Sequence, residues 1–88
     1  VAIRFTAQQA RWIRERQWHS SQTLEELPDG GLILRMHLSG LQEVKRWVFG
    51  FGSQAEVLAP PELRREIARE AAALGELYQG LTGNGNPL

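Results

Sequence analysis

Apolar residues recur along this chain with two periods, and the switches between them mark out its elements. Val1, Ile3 and Phe5 alternate with Ala2 and Arg4, the period-two pattern of a strand with one buried face. Thr6 follows where an N-cap belongs, its hydroxyl suited to accept an orphan backbone N–H, and 7–16 reads as a helix. Ala10, Ile13 and Trp12 make its apolar face, and Arg11 and Arg14 at i,i+3 share a solvent-facing stripe. Strands are predicted over 22–27 and 32–38, the latter with Leu32, Leu34, Met36 and Leu38 on one face and Ile33, Arg35, His37 and Ser39 on the other. Between them Pro28 presets φ, Asp29 favours a turn and Gly30 can take positive φ, so the two strands form a hairpin.

The stretch 40–61 carries the second helix and the last strand. Leu41, Val44, Trp47, Val48 and Phe51 stand at helical spacing among Gln42, Glu43, Lys45 and Arg46. Gly50 and Gly52 end that helix, and 55–58 reads as a short strand stopped by Pro60 and Pro61. Pro61 then opens a final helix over 62–79 with Leu63, Ile67, Leu74 and Leu77 as its apolar stripe. Gly80 is expected to end it, leaving 80–88 as a disordered tail behind one domain over 1–79. Arg11-Trp12-Ile13 and Arg46-Trp47-Val48 occupy like places on the two earlier helices, each flanked by strands. Two such halves joined by the hairpin give β-α-β-β-α-β, an α+β, ferredoxin-like fold: a four-stranded antiparallel sheet with two helices on one face, plus the C-terminal amphipathic helix. The predicted core is Ile3, Phe5, Ile13, Leu34, Met36 and Leu38 from the first half, with Val44, Trp47, Val48 and Val57 from the second.

The hairpin register carries a consequence for assembly. If Leu27 stands opposite Leu32 and faces the core, strict alternation sends Leu24 to the far face beside Ile33 unless a bulge near Glu25-Glu26 intervenes. Taken without the bulge, the far face bears Leu24, Ile33 and Leu58 and needs a cover. The stripe of the last helix, folded back or supplied by a second copy, would serve, so a homodimer is expected.

Composition narrows the function classes. Lys+Arg and Asp+Glu are both 10 in 88 residues, which removes the footprint of a stand-alone nucleic-acid binder. The charges are unevenly placed, with Arg4, Arg11, Arg14 and Arg16 against Glu15 alone in the first 20 residues. No cysteine is present, so disulfides and thiolate metal sites are excluded and a cytoplasmic setting is expected. No apolar run approaches the roughly 18 residues of a membrane span. Val1 opens no signal peptide, and a chain beginning on a strand reads as part of something longer. His19 and His37 belong to no metal-ligand spacing, and the glycine pairs lack the Lys-Ser/Thr of a phosphate loop, so neither catalysis nor a cofactor is expected. Arg4, Arg11, Arg14 and Arg16 with Trp18 and His19 combine positive charge with stacking surface, as single-stranded nucleic acid or nucleotides require. By composition alone the same residues suit better a solvated helix face with Trp18 packed over the sheet edge, because Arg is a good helix former on any surface.

Several spaced segments in order carry a family likeness: Arg14-Glu15-Arg16 with Trp18-His19 and Ser21-Gln22, then the Pro28-Asp29-Gly30-Gly31 turn, Arg46-Trp47-Val48 with Phe51-Gly52, and Ala55-Glu56-Val57-Leu58 before Pro60-Pro61-Glu62-Leu63. From 1 to 78 the chain resembles the C-terminal extension, or WCX, domain of WYL-domain bacterial transcriptional regulators. The resemblance implies a ferredoxin-like regulatory and dimerisation domain that contributes to binding a single-stranded nucleic acid or nucleotide effector. Promoter DNA would be read only through a helix-turn-helix, which this chain lacks, as it lacks the WYL segment. Arg11, Arg14, Arg16, Trp18 and His19 are the candidate effector-facing residues. The competing reading is a small-molecule-sensing ferredoxin-like domain that dimerises through its sheet.

Overall fold

A computed structural model of the chain describes residues 1–83, with side chains through residue 79. Its elements run β1 (Ala2–Phe5), α1 (Ala7–Arg14), β2 (Thr23–Glu26), β3 (Leu32–Arg35), α2 (Leu41–Phe49), a 3-10 turn (Gly52–Gln54), β4 (Ala55–Ala59) and α3 (Pro61–Gly83). The strands form one four-stranded sheet in the order β2-β3-β1-β4, all neighbours antiparallel. This is the expected β-α-β-β-α-β arrangement.

The core lies between the sheet and the helices. Ile3 and Phe5 of β1, Leu32 and Leu34 of β3 and Val57 of β4 meet Ala10 and Ile13 of α1 and Val44 and Val48 of α2. Leu38 and Trp47, expected inside, are only partly buried against this cluster, whereas Leu32, Ala10 and Leu63 are fully enclosed. Phe5 anchors an aromatic group, its ring edge-to-face with Trp47 at 5.8 Å and Phe51 at 5.2 Å between centroids. The internal repeat holds for Ile13 and Val48, both buried, but splits at the tryptophans, since Trp47 packs on the core and Trp12 is 47% exposed.

Three expectations of detail are corrected. Thr6 takes the N-cap position of α1 but makes no side-chain capping bond; its hydroxyl is turned to the loop before β4, where it donates to Gln54 Oε1 at 3.1 Å. In the hairpin, Glu26 rather than Leu27 stands opposite Leu32, and Leu27 N–H closes the loop on Gly31 O at 2.9 Å. Gly30 at φ +90° and the Asp29 carboxylate accepting from Gly31 N–H at 2.8 Å hold that loop. The one-residue shift puts Leu24 opposite Leu34, on the helix side of the sheet, and Glu25 opposite Ile33. The open face consequently keeps Ile33, 9% exposed, beside two ion pairs, Arg4 with Glu56 and Arg35 with Glu25. Without Leu24, and with Ile33 nearly enclosed, the apolar sheet face that called for a cover is not found among the described residues.

The third correction concerns α3, which continues through Gly80 to Gly83; the rest of the expected tail, 84–88, lies outside the described residues. Its first turns close on their own domain along β4 and α2. Leu63 is buried, Ile67 packs on the core, and Glu66 accepts hydrogen bonds from Lys45 at 3.3 Å and Gln42 at 3.1 Å. Arg64 donates to Val57 O on the outer edge of β4 and to Glu56, both at 2.8 Å, which covers an edge strand that would otherwise offer free carbonyls.

Glu56 thus sits between two guanidinium groups, and its hydrogen bond from Arg64, followed by the one from Arg4, holds its carboxyl below the ordinary value of 4.5. A depressed folded-state value stabilises the native state above the unfolded value and is lost as pH falls through the folded one. Stability of the wild-type chain is therefore expected to drop as pH is lowered below about 4.5, and Glu56→Gln to show a shallower drop. Superimposable denaturation midpoints across that window for both proteins would remove Glu56 from the acid response.

Candidate functional site

The predicted site residues gather around the end of α1 and the segment that follows it. The helix ends at Arg14, two residues before its expected end, because the Trp18 indole N–H donates to Ile13 O at 3.1 Å and caps a carbonyl of the last turn. The connection to β2 is then folded by one side chain. Gln22 Oε1 accepts from the backbone N–H of Trp18 and, at 3.1 Å, of His19, while its amide donates to Arg16 O at 3.4 Å. Gln22 belongs to the site as its scaffold; in the sequence it is marked by its place four residues after Trp18 in a polar connector and by the Ser21-Gln22 pair among the segments that carry the family likeness.

Charge is distributed unequally over the three arginines. Arg14 makes a two-pronged bond to Glu26, Nε to Oε2 at 2.8 Å and Nη2 to Oε1 at 2.6 Å, and reaches Gly30 O at 3.2 Å. This contact raises the Arg14 pKa and lowers that of Glu26, the hydrogen bond being the larger cause in each case. Arg14 therefore ties α1 to the hairpin and does not share a free stripe with Arg11. Arg16 lies over the Trp12 ring, 4.3 Å from its centroid, and 5.9 Å from the centroid of Trp18. Trp12, read from its sequence as part of the apolar helix face, is instead an exposed platform under a guanidinium. The i,i+4 spacing of Trp12 and Arg16 is the signal that marks this pair. Arg11 is exposed on the same helix.

Trp18 is half-buried, with its ring 5.1 Å from Trp47 between centroids, so it joins the arginine surface to the core. Next to it, His19 Nδ1 lies 2.6 Å from Ser21 Oγ and accepts from Ser21 N–H at 3.0 Å, which in the neutral ring leaves the proton on Nε2. Ser21 Oγ also accepts from His37 N–H at 2.9 Å, tying this segment to the end of β3. Trp18 and His19 are thus fixed by hydrogen bonds, and Arg16 by stacking. The arrangement offers cationic and aromatic surface on a rigid support. Among the described residues no His, Asp or Glu cluster suits a metal ion, and no helix is long and apolar enough to cross a membrane.

The segments that carry the family likeness prove to be structural units: the Trp18–Gln22 connector, the Asp29-Gly30 turn, the Trp47–Phe51 aromatic group and the β4–α3 corner. The WCX domain family model matches residues 1–75, which takes in all of them. The chain belongs to the WCX domain family. Among curated proteins it is 33% identical over 73 residues to Protein PafC of Mycobacterium tuberculosis, in strain CDC 1551 / Oshkosh and equally in strain ATCC 25618 / H37Rv. The match covers 83% of this chain and 22% of PafC, so the WCX domain spans about a fifth of the length of these relatives. The matched region includes every candidate site residue of this WCX domain and stops short of the tip of α3.

Proposed function

We propose that this WCX domain is the regulatory extension of a WYL-type bacterial transcriptional regulator, where it helps to bind a single-stranded nucleic-acid or nucleotide effector and to associate two copies. Promoter reading belongs to parts of such a protein outside this chain, and the setting is cytoplasmic. The observation that carries the effector reading is the Arg16 guanidinium stacked on the exposed Trp12 ring and facing Trp18. Phosphates meet Arg11 and Arg16, bases meet the aromatic surface, and His19 Nε2–H supplies a further donor. Arg14 contributes by holding α1 against the hairpin through Glu26. Titration of the intact protein with short single strands of DNA and RNA, and with mononucleotides, tests this reading: saturable binding weakened by salt is expected, and indifference to all of them would remove it.

The association reading now rests on α3 rather than on the sheet. Leu74 and Leu77 are 46% and 69% exposed, and they prolong the stripe whose beginning, Leu63 and Ile67, is covered within the domain. Two copies packing these tips would bury both stripes by a two-fold arrangement. Sedimentation of the 88-residue chain is expected to show concentration-dependent association that Leu77→Asp abolishes. A monomer at high micromolar concentration, unaffected by that change, would assign dimerisation to other parts of the protein.

A further inference from the structure

A cleft of about 250 Å³ opens beside Trp18, between the segment after β3 and α2. Trp18 and Trp47 line it with Met36, Leu38 and Val44, and the only charged residue of its lining is Glu43, in the first turn of α2. Glu43 is exposed and, among the described residues, makes no hydrogen bond or ion pair. Two tryptophans in contact, Trp47 held edge-on by Phe5 and Phe51, with a flexible thioether and one unpaired carboxylate make a place for a flat ring that carries donors on one edge. The volume falls below the roughly 300–1,000 Å³ of pockets that enclose drug-sized molecules, so it suits a single ring system and not a whole nucleotide.

We propose that this cleft receives one unstacked guanine of a single-stranded nucleic acid, with the Glu43 carboxylate accepting from its N1–H and N2–H groups. The proposal rests on the effector reading above and adds a base preference to it. Trp18 is the link, since the same ring lies 5.9 Å from the Arg16 guanidinium and lines the cleft, so a backbone held at Arg16 can deliver a neighbouring base across Trp18. The choice of base follows from hydrogen-bond complementarity. A carboxylate only accepts, and guanine alone presents two adjacent donors on its Watson–Crick edge. Adenine and cytosine set an acceptor next to their amino donor, and thymine or uracil flanks one donor with two carbonyls, so each would bring lone pairs against Glu43. Glu43 is the one charged group of the lining, so no other charged side chain of the cleft offsets such a mismatch.

The test uses the intact protein and short single strands that differ at one position, guanine against inosine, which lacks the 2-amino donor. Wild-type protein is expected to bind the guanine strand roughly tenfold more tightly than the inosine strand, the scale of one hydrogen bond to a charged group. Glu43→Gln, an exposed substitution that keeps shape and places a donor against a donor, is expected to bring that ratio close to one while a homothymidine strand binds as before. Glu43→Ala should do the same, which separates base recognition from the favourable placement of an acid at a helix start. Tight binding with equal affinity for guanine and inosine strands, or a preference that survives both substitutions, would overturn the guanine site and leave the effector reading standing. Failure to bind any strand would overturn the guanine site and the single-strand reading together.

Discussion

Replacing Phe5 by Ala is expected to lower the unfolding free energy by about 3–5 kcal/mol, the usual cost of emptying a large aromatic site in a packed core. Phe5 is fully buried at the centre of the sheet and supports Trp47 and Phe51 edge-on, so its removal takes away both the area of one ring and the contacts that hold two others. A domain of this size has a net stability of about 5–15 kcal/mol, so the loss approaches the threshold for folding. Urea titration followed by tryptophan fluorescence reads it directly. Val48→Ala, which removes two methyl groups from the buried face of α2, is the milder companion at about 1–3 kcal/mol. An unchanged midpoint for Phe5→Ala would contradict the placement of the core between β1 and α2.

The second large effect is expected in binding. Substituting Arg11 and Arg16 together by Ala should weaken single-strand binding by the intact protein and reduce the log–log salt slope by roughly one to two, since each lost phosphate contact releases about 0.7 fewer counterions on a single strand. Arg14→Ala should behave differently. Its guanidinium is engaged by Glu26 and Gly30 O, so its loss frees the hairpin from α1 while leaving the salt slope nearly intact. Equal slopes for parent and double variant would take Arg11 and Arg16 out of the site; a slope that falls as far for Arg14→Ala would mean that the Glu26 pair opens to admit a phosphate.

The paired and exposed arginines could not be told apart from the chain alone. Arg11 and Arg14 look equivalent there, because the groups that engage Arg14, Glu26 and Gly30 on the hairpin, are far off in sequence; only for Arg16 does a local spacing, four residues after Trp12, mark its partner. The unpaired state of Glu43 was equally invisible, since an acid in the first turn of a helix looks the same with or without a cleft beside it.

What the sequence determined by itself was the set of elements and their order. Alternation at Val1, Ile3 and Phe5, helical spacing at Val44, Trp47 and Val48, and the Pro28–Gly31 turn are local patterns, and backbone geometry converts local patterns into strands, helices and a hairpin without reference to the rest of the chain. The β-α-β-β-α-β order then leaves few ways to close a sheet. Register and docking were decided only in three dimensions. A single residue's difference in the hairpin loop moved Leu24 to the helix side and left Ile33 on the open face beside the Arg4–Glu56 and Arg35–Glu25 pairs. Likewise, the apolar stripe of α3 shows that the helix must pack, and only the position of the β4 edge shows that Leu63 and Ile67 are covered while Leu74 and Leu77 project beyond it. The physical reason is the same in both cases: periodicity says which residues share a face, whereas the partner of that face depends on contacts between residues distant in the chain.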